Sequence, residues 1–487
     1  MKPQREFRLD EILERDAKPE VAEGVFSDDK TEMERFGEVL SIVETVLEAE
    51  WSKASEAAKQ TRLEREKRAI IGYDDATSFY KLKIGEILKD EKMTDEWYPD
   101  WYPSLEEAVF AELYGLAGLA PWAYDTTDEY RKSSSAKLIG ENLYCLINGK
   151  SELQPQKISK KRREQLKRAL LLATPQERLE AGFHEVYLHN GIRITIFSGD
   201  RTKDNQDVMV FRKYVLNELT FDKMIEFGTI PPEAKELFLA MIKIGYNVLF
   251  AGQVRSGKTT FLQTWQSYED PTLEGLAIAT DPETPWHEIM PGTPIMQLVA
   301  DGKALEGITK SLLRGDNDYV LLEEMRDATA FNLALDITST GTQRSKGTIH
   351  DNDAINIPYK IASKVRAKYG GDINAIISQV FKNFNYVLEF YQVPEDKSKK
   401  RLKGIVEYRY DPQSDTAVAV RICKYDFTAD TWQWKADIGK DKEELAVGEN
   451  EALETMKSVL KSLEKKNPIK ESYIIRPSYY RPAIKAD

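Results

Sequence analysis

Apolar residues set the first element of the chain. Met33, Phe36, Leu40, Val43, Leu47, Trp51, Ala54 and Ala58 recur at three- and four-residue steps, a spacing that puts side chains on one stripe of an α-helix. One long amphipathic helix is expected, packed on the helical residues that follow around Phe79 to Leu88, because such a stripe needs an apolar partner. The cluster Trp97-Tyr-Pro-Asp-Trp101-Tyr-Pro103 breaks this periodicity. It reads as a linker or packing turn and places a domain boundary near residue 100. Residues 1–30 are charged and weakly patterned, as in a mobile arm.

From there to about residue 220, helical stretches at 105–118 and 158–172 alternate with β-type runs at Val186–Leu188, Ile192–Ile194 and Val208–Phe211. That mixture predicts a small α/β domain. From Ile230 to about residue 390, apolar runs at 248–251, 276–280, 319–322 and 347–350 alternate with helical segments. The alternation predicts a parallel sheet covered on both faces. Tyr386–Tyr391, Gly404–Tyr410, Ala417–Tyr425 and Thr431–Trp434 then read as an antiparallel meander, followed by a charged helix at about 442–465 and a Tyr- and Arg-bearing tail. The expected domains are 1–100, 101–222, 223–440 and 441–487.

Composition narrows the partners. Lys+Arg 69 against Asp+Glu 81 gives a net charge of −12, which disfavours direct nucleic-acid binding. The basic run Lys160-Lys-Arg-Arg163 with Lys167 and Arg168 fits a solvated helix face better than a patch for nucleic acid or anionic lipid. No stretch approaches a membrane span, and the first ten residues lack a secretory apolar core. Two widely separated cysteines, Cys145 and Cys423, form no metal or disulfide framework. A cytoplasmic location is therefore expected.

The densest chemical signal is Gly252-Gln-Val-Arg255-Ser256-Gly257-Lys258-Thr259-Thr260, preceded by Val248-Leu-Phe-Ala251 and followed by Phe261-Leu262. Strand, glycine loop and helix in that order make a P-loop. Backbone N–H groups at a helix N-terminus cradle phosphate oxygens, Lys258 reaches the terminal phosphates, and the Thr259 hydroxyl ligates Mg²⁺. ATP with Mg²⁺ is the expected ligand. Phosphoryl transfer also needs acids at the ends of neighbouring strands. Ala277-Ile-Ala-Thr280-Asp281-Pro282-Glu283 and Tyr319-Val-Leu-Leu-Glu323-Glu324-Met325-Arg326-Asp327 are apolar runs of that kind, and Lys346-Gly-Thr-Ile-His350 ends another in one of only four histidines. Each alone also fits a solvated strand end or a structural histidine.

Taken in order, Gly252–Thr259, Asp281, Glu324 and His350 resemble the Walker A, Asp box, Walker B and His box of the secretion (traffic) ATPases. These are the motors of type II and type IV secretion, type IV pili and tight-adherence pili. Leu312-Leu-Arg314 through Asp327, and Thr340-Gly341 through His350, resemble further segments of that family. Upstream, Phe211-Arg212-Lys213-Tyr214, Leu219-Thr220 and Phe227-Gly228 resemble the linker of the tight-adherence and conjugation branch. The resemblance covers roughly residues 105–435.

It implies an N-terminal helical extension, a small PAS-like α/β domain, and a RecA-like P-loop ATPase domain with the C-terminal meander. It also implies ATP hydrolysis by a homo-hexamer docked on inner-membrane platform proteins, peripheral at the inner face of the cell membrane. Glu324 would meet Mg²⁺ through water, Asp281 or Glu283 would act on the attacking water, and His350 would couple phosphate state to structure. Arg212 and Arg193, with Arg201 a weaker candidate, would reach the phosphates from the N-terminal domain; a surface ion pair is the competing role for each.

Two departures stand out. Thr280 replaces the family's usual first Asp-box acid, with Glu283 one residue early, and Glu323 replaces the glycine before the Walker B glutamate. The competing classes are a DNA-directed P-loop motor and a nucleotide-binding scaffold with little hydrolysis.

Overall fold

The computed structural model describes residues 31–52, 55–172, 183–197, 202–203, 206–213, 219–279, 284–300, 302–312, 315–470 and 474–475. The N-terminal arm, the acids Asp281 and Glu283, and Arg201 and Arg314 lie outside the described residues. The chain divides into two compact units, residues 1–69 with 74–117, and residues 70–73 with 118–487.

The first unit is helical. The expected long helix is interrupted, running Glu32–Ser52 and then Glu56–Ile71. Phe36, Val39, Val43 and Leu47 bury the stripe of the first piece, whereas Met33 is 54% exposed. A third helix, Asp74–Asp90, buries Ala76, Tyr80, Ile84, Ile87 and Leu88. A fourth, Leu105–Tyr114, is started by Ser104, whose side chain accepts from the Glu107 N–H, and stops four residues short of the expected 118.

The second unit begins with an antiparallel sheet of β1 (Ser135–Ile139), β2 (Asn142–Ile147), β3 (Lys150–Lys157), β4 (Phe183–Tyr187), β5 (Arg193–Phe197) and β6 (Val208–Arg212), in the order β3-β2-β1-β6-β5-β4. Only β4 to β6 were legible in the sequence. In β3 most side chains are exposed, so no apolar rhythm marks it. Within the helix Lys160–Leu172 the basic face is not wholly solvated. Arg163 is fully buried and donates to the Ile158 carbonyl at 2.8 Å.

The larger sheet holds β7 (Val248–Gly252), β8 (Gly275–Ala279), β9 (Ile295–Val299), β10 (Tyr319–Met325), β11 (Lys346–Ile349), β12 (Tyr386–Gln392), β13 (Lys400–Asp411), β14 (Thr416–Asp426), β15 (Thr431–Trp434) and the short β16 (Ile474–Ile475). Its order is β15-β14-β13-β12-β7-β11-β10-β8-β9, with β16 beside β14. Neighbours from β12 to β9 pair in parallel, and β12 to β15 pair antiparallel. The meander is thus continuous with the parallel core through β12. The expected C-terminal helix is two helices, Lys440–Leu445 and Asn450–Lys466.

The parallel strands are apolar at nearly every position because both faces are covered. Val248 and Phe250 join one core with the helices Ala234–Ile244, Lys258–Gln266 and Asn450–Lys466, while Leu249 and Ala251 join the other with Ala328–Ser339, Ile357–Tyr369 and Ile373–Asn383. Phe261, three residues into the helix behind the glycine loop, lies 4.6 Å from the Phe390 ring and 5.8 Å from that of Phe250. That contact fixes the angle at which this helix leaves the sheet.

At the far end of the same helix a dry ion pair pins it to β11. Lys346 is fully buried, and its Nζ donates to Glu269 Oε1 at 2.7 Å and to Gln266 Oε1 at 2.8 Å; Arg344 reaches Glu269 Oε2 at 2.9 Å. Burial pushes the Lys346 amine below its usual range, with the Glu269 charge opposing. Removing one partner of a buried pair leaves the other charge stranded. Glu269→Gln should cost about 3–5 kcal/mol of stability, read as a lowered urea midpoint; a midpoint equal to the parent's would show that the pair is not dry.

Candidate nucleotide site

The site lies at the C-terminal edge of β7, β11 and β10. These three strands are adjacent in the sheet, with β11 between the other two. Their parallel pairing brings three segments remote in sequence to one edge: the glycine loop after β7, His350 after β11, and Glu324 near the end of β10.

The loop's shape follows from backbone freedom. Gly252 has φ 157°, Arg255 65° and Gly257 91°, values in the left-handed region that side chains resist. A Cβ on Gly252 would sit 2.5 Å from both the Phe390 carbonyl oxygen and Ser256 Oγ, so the tight approach of loop to β12 requires glycine. Ser256 is fully buried, and its Oγ has no hydrogen-bond partner among the described residues. An unpaired buried hydroxyl is costly, and one at the base of a glycine cradle ahead of a nine-residue helix marks an anion site. The residues therefore fit a phosphate group. Thr259 and Thr260 are half-buried on the first turn of that helix, where Thr259 would supply a hydroxyl to Mg²⁺.

Three charged or polar groups then form a chain across the strands. Lys258 Nζ donates to the Gln253 carbonyl at 2.7 Å and lies 3.3 Å from His350 Nδ1. His350 Nε2 is 2.6 Å from Glu324 Oε1, and Arg326 Nη2 donates to Glu324 Oε2 at 2.6 Å. A charged lysine can only donate, so Nδ1 accepts and Nε2–H donates to the carboxylate. His350 is held from below by Lys360, which donates to its backbone oxygen. The following turn is held by the buried Glu389, which accepts from the Ala354 N–H at 3.0 Å and from Arg421 at 2.6 Å.

Burial alone would raise the Glu324 carboxyl, but the hydrogen bonds from His350 and Arg326 outweigh it and hold it at about 2. Burial takes the Lys258 amine down to about 8, with Glu324's charge opposing. Glu324 is thus ionised throughout the neutral range and is a weak base. Its folded value lies below its unfolded one, so it contributes stability at neutral pH that is lost as pH falls from about 4.5 towards 2. Lys258 works in the other direction: charging it costs stability below about 8, and that cost fades as pH rises from about 8 to 10.5.

The adjacent acid has another fate. Glu323 points to the opposite face of β10, is buried, and accepts from the Trp286 indole N–H, so it does not face solvent. Asp327 caps the next helix, accepting from the Ala330 N–H at 2.9 Å. Of the proposed arginines, Arg193 and Arg212 pair across β5 and β6 and share a sheet face. Arg193 is buried in a 2.5 Å ion pair with Glu185, the role weighed against it in the sequence. Arg212 is exposed and lies near enough to Arg255 for their charges to oppose one another. Arg255 donates to Ser135 Oγ at 3.1 Å, so the loop meets the six-stranded sheet at the strand-end row Ser135, Arg212 and Arg193.

Sequence reasoning missed Lys400 as a neighbour of the glycine loop, and gave no role to the Gln253 carbonyl within it. Arg326 stood within a quoted motif, but its grip on Glu324 had no signal beyond proximity.

Comparison with known proteins bears on part of the chain. Residues 204–381 match the family described as type II/IV secretion system protein. That segment of the chain is similar to the family. The matched span runs from just before β6 to the helix Ile373–Asn383 and contains every group of the Lys258–His350–Glu324 chain. An uncharacterized protein of Methanocaldococcus jannaschii is 23% identical over 274 residues, which is 54% of this chain and 98% of that protein. Among solved structures, the VirB11 ATPase of the Brucella suis type IV secretion system is 17% identical, covering 60% of this chain and 95% of its own, with TM-score 0.31. The ATPase DotB of Yersinia pseudotuberculosis is 15% identical, covering 71% and 92%, with TM-score 0.44. At such scores the chemistry of the matched segment rests on its own side chains.

Because Lys258 must be charged to hold phosphate, affinity for a triphosphate should fall as pH rises through about 8. Glu324→Gln removes the carboxylate that keeps the amine charged and should move that fall to lower pH. Fluorescent-nucleotide titrations at stepped pH check this; a profile flat from about pH 7 to 9 would refute it.

Proposed function

We propose that this protein is an ATP-hydrolysing motor of a type II/IV secretion or pilus-type machine. The observation that carries the reading is the chain of contacts from Lys258 through His350 to Glu324, closed across three adjacent parallel strands beside an unpaired, buried Ser256 hydroxyl. On this reading Lys258 is the cation for the γ-phosphate and Glu324 the ionised carboxylate for the metal shell, with the His350 imidazole touching both. Mg²⁺, held by Thr259 and through water by Glu324, would neutralise charge on the phosphates.

The division of labour follows from proton affinity. A carboxylate held at about 2 binds a metal-shell water well but accepts a proton poorly. Glu324 therefore orients, and acceptance of the proton from the attacking water falls to Asp281 or Glu283. His350 can exchange its bonds to Lys258 and Glu324 as a γ-phosphate arrives or leaves, which transmits occupancy to the Glu389-held turn behind it. Arg212, exposed at the domain edge, is the arginine placed to meet phosphate charge on closure.

The family supports a homo-hexamer working in the cytoplasm, against platform proteins at the inner face of the membrane; a conjugation or tight-adherence apparatus is the system favoured by the linker residues Phe211–Tyr214, Leu219–Thr220 and Phe227–Gly228. Among the described residues, no helix is long and apolar enough to cross a membrane.

The test uses purified full-length chain with ATP and Mg²⁺. The parent should bind saturably and release phosphate. Lys258→Ala should lose binding, and Glu324→Gln should keep binding while hydrolysis drops by about 10²-fold or more. Unchanged turnover in Glu324→Gln would overturn the role given to Glu324, and saturable binding by the parent without phosphate release would overturn the motor reading in favour of a scaffold.

A further inference from the structure

The β12–β13 hairpin brings a second lysine to the glycine loop. Lys400 opens β13 opposite Gln392, and a Cβ built on Gly257 would lie 3.4 Å from Lys400 Cγ and 3.8 Å from its Cβ. The stem of Lys400 therefore rests on the glycine immediately before Lys258. Its ammonium has three N–H donors; one goes to the Lys397 carbonyl within the same hairpin. Asp396 attracts this ammonium and Arg255, within the loop, repels it. Asp396 is itself engaged, accepting from Ser398 N–H at 3.0 Å and pairing with Lys399 at 3.4 Å.

Two cations, Lys400 against Gly257 and Arg255 within the loop, thus stand close enough to oppose one another, in addition to Lys258 at its end. Like charges held close to one half-buried loop repel, and burial already depresses the Lys400 amine to about 8. An anion of multiple charge seated in the loop would relieve that repulsion.

Resting on the nucleotide reading above, we infer that Lys400 is a further nucleotide-binding residue, donating from the hairpin to the phosphates that the Gly252–Thr260 loop holds. The contact makes the hairpin part of the nucleotide site. Its tip is also seated on the small domain, since a Cβ on Gly149, in the β2–β3 turn, would lie 2.7 Å from the Lys397 backbone nitrogen and 2.8 Å from Asp396 Oδ1. Nucleotide occupancy would then bear on both domains through one short ribbon.

Titration of the full-length chain with fluorescent ATP and ADP in Mg²⁺ tests this. Lys400→Met should weaken binding roughly ten-fold, Lys400→Arg should restore most of it, and Lys399→Met, on the same hairpin but paired with Asp396, should bind as the parent does. Thermal midpoints of all three should match the parent, since none of these side chains belongs to the core. Parent-like binding by Lys400→Met would overturn the inference while leaving the proposed function standing. Failure of the parent itself to bind would overturn both.

Discussion

The site depends on one arrangement: a lysine, a histidine and a glutamate in contact, each delivered by a different parallel strand. Neither of the two contacts, Lys258 to His350 and His350 to Glu324, is local. They exist because β11 inserts between β7 and β10, and because parallel pairing makes all three strands end at the same edge. The ionic state follows from the same packing. Glu324 is burdened by burial yet held ionised by His350 and Arg326, while Lys258 is weakened by burial and supported by Glu324. Anion and cation therefore sustain one another, with the imidazole spaced between them. A charge introduced on either strand end is felt at the other.

What could be read in the sequence was whatever a local pattern encodes. The glycine loop needs three positive-φ positions within six residues, and glycine spacing announces two of them. Buried parallel strands announce themselves as apolar runs. The terminal acid of β10 was legible for the same reason, but its neighbour was not. Glu323 and Glu324 are chemically identical and adjacent, and only the two-residue alternation of a strand separates them. One faces the loop and meets histidine; the other faces the opposite layer and meets Trp286, thirty-seven positions away. No window of sequence holds that partner.

The features that escaped share a cause. β3 is polar and mostly exposed, and β9 is a short edge strand with Met296 and Val299 in the open; both lack the burial that writes a rhythm into sequence. Arg163 stands in a basic run yet turns inward to a carbonyl, because a helix assigns faces by rotation rather than by charge. Lys400 carries no motif at all, since its place beside Gly257 is set by hairpin register.

Register also separates the two arginines that sequence offered together. Arg193 and Arg212 face each other across β5 and β6, so any movement of this sheet carries both. Arg193 is buried in an ion pair with Glu185. Arg212, exposed at the end of the row, repels Arg255 on the loop. A phosphate between Arg212 and Arg255 converts that repulsion into two attractions. On the function proposed above, a nucleotide's charge would draw this edge of the small sheet and the glycine loop together, and its loss would let the two cations repel again.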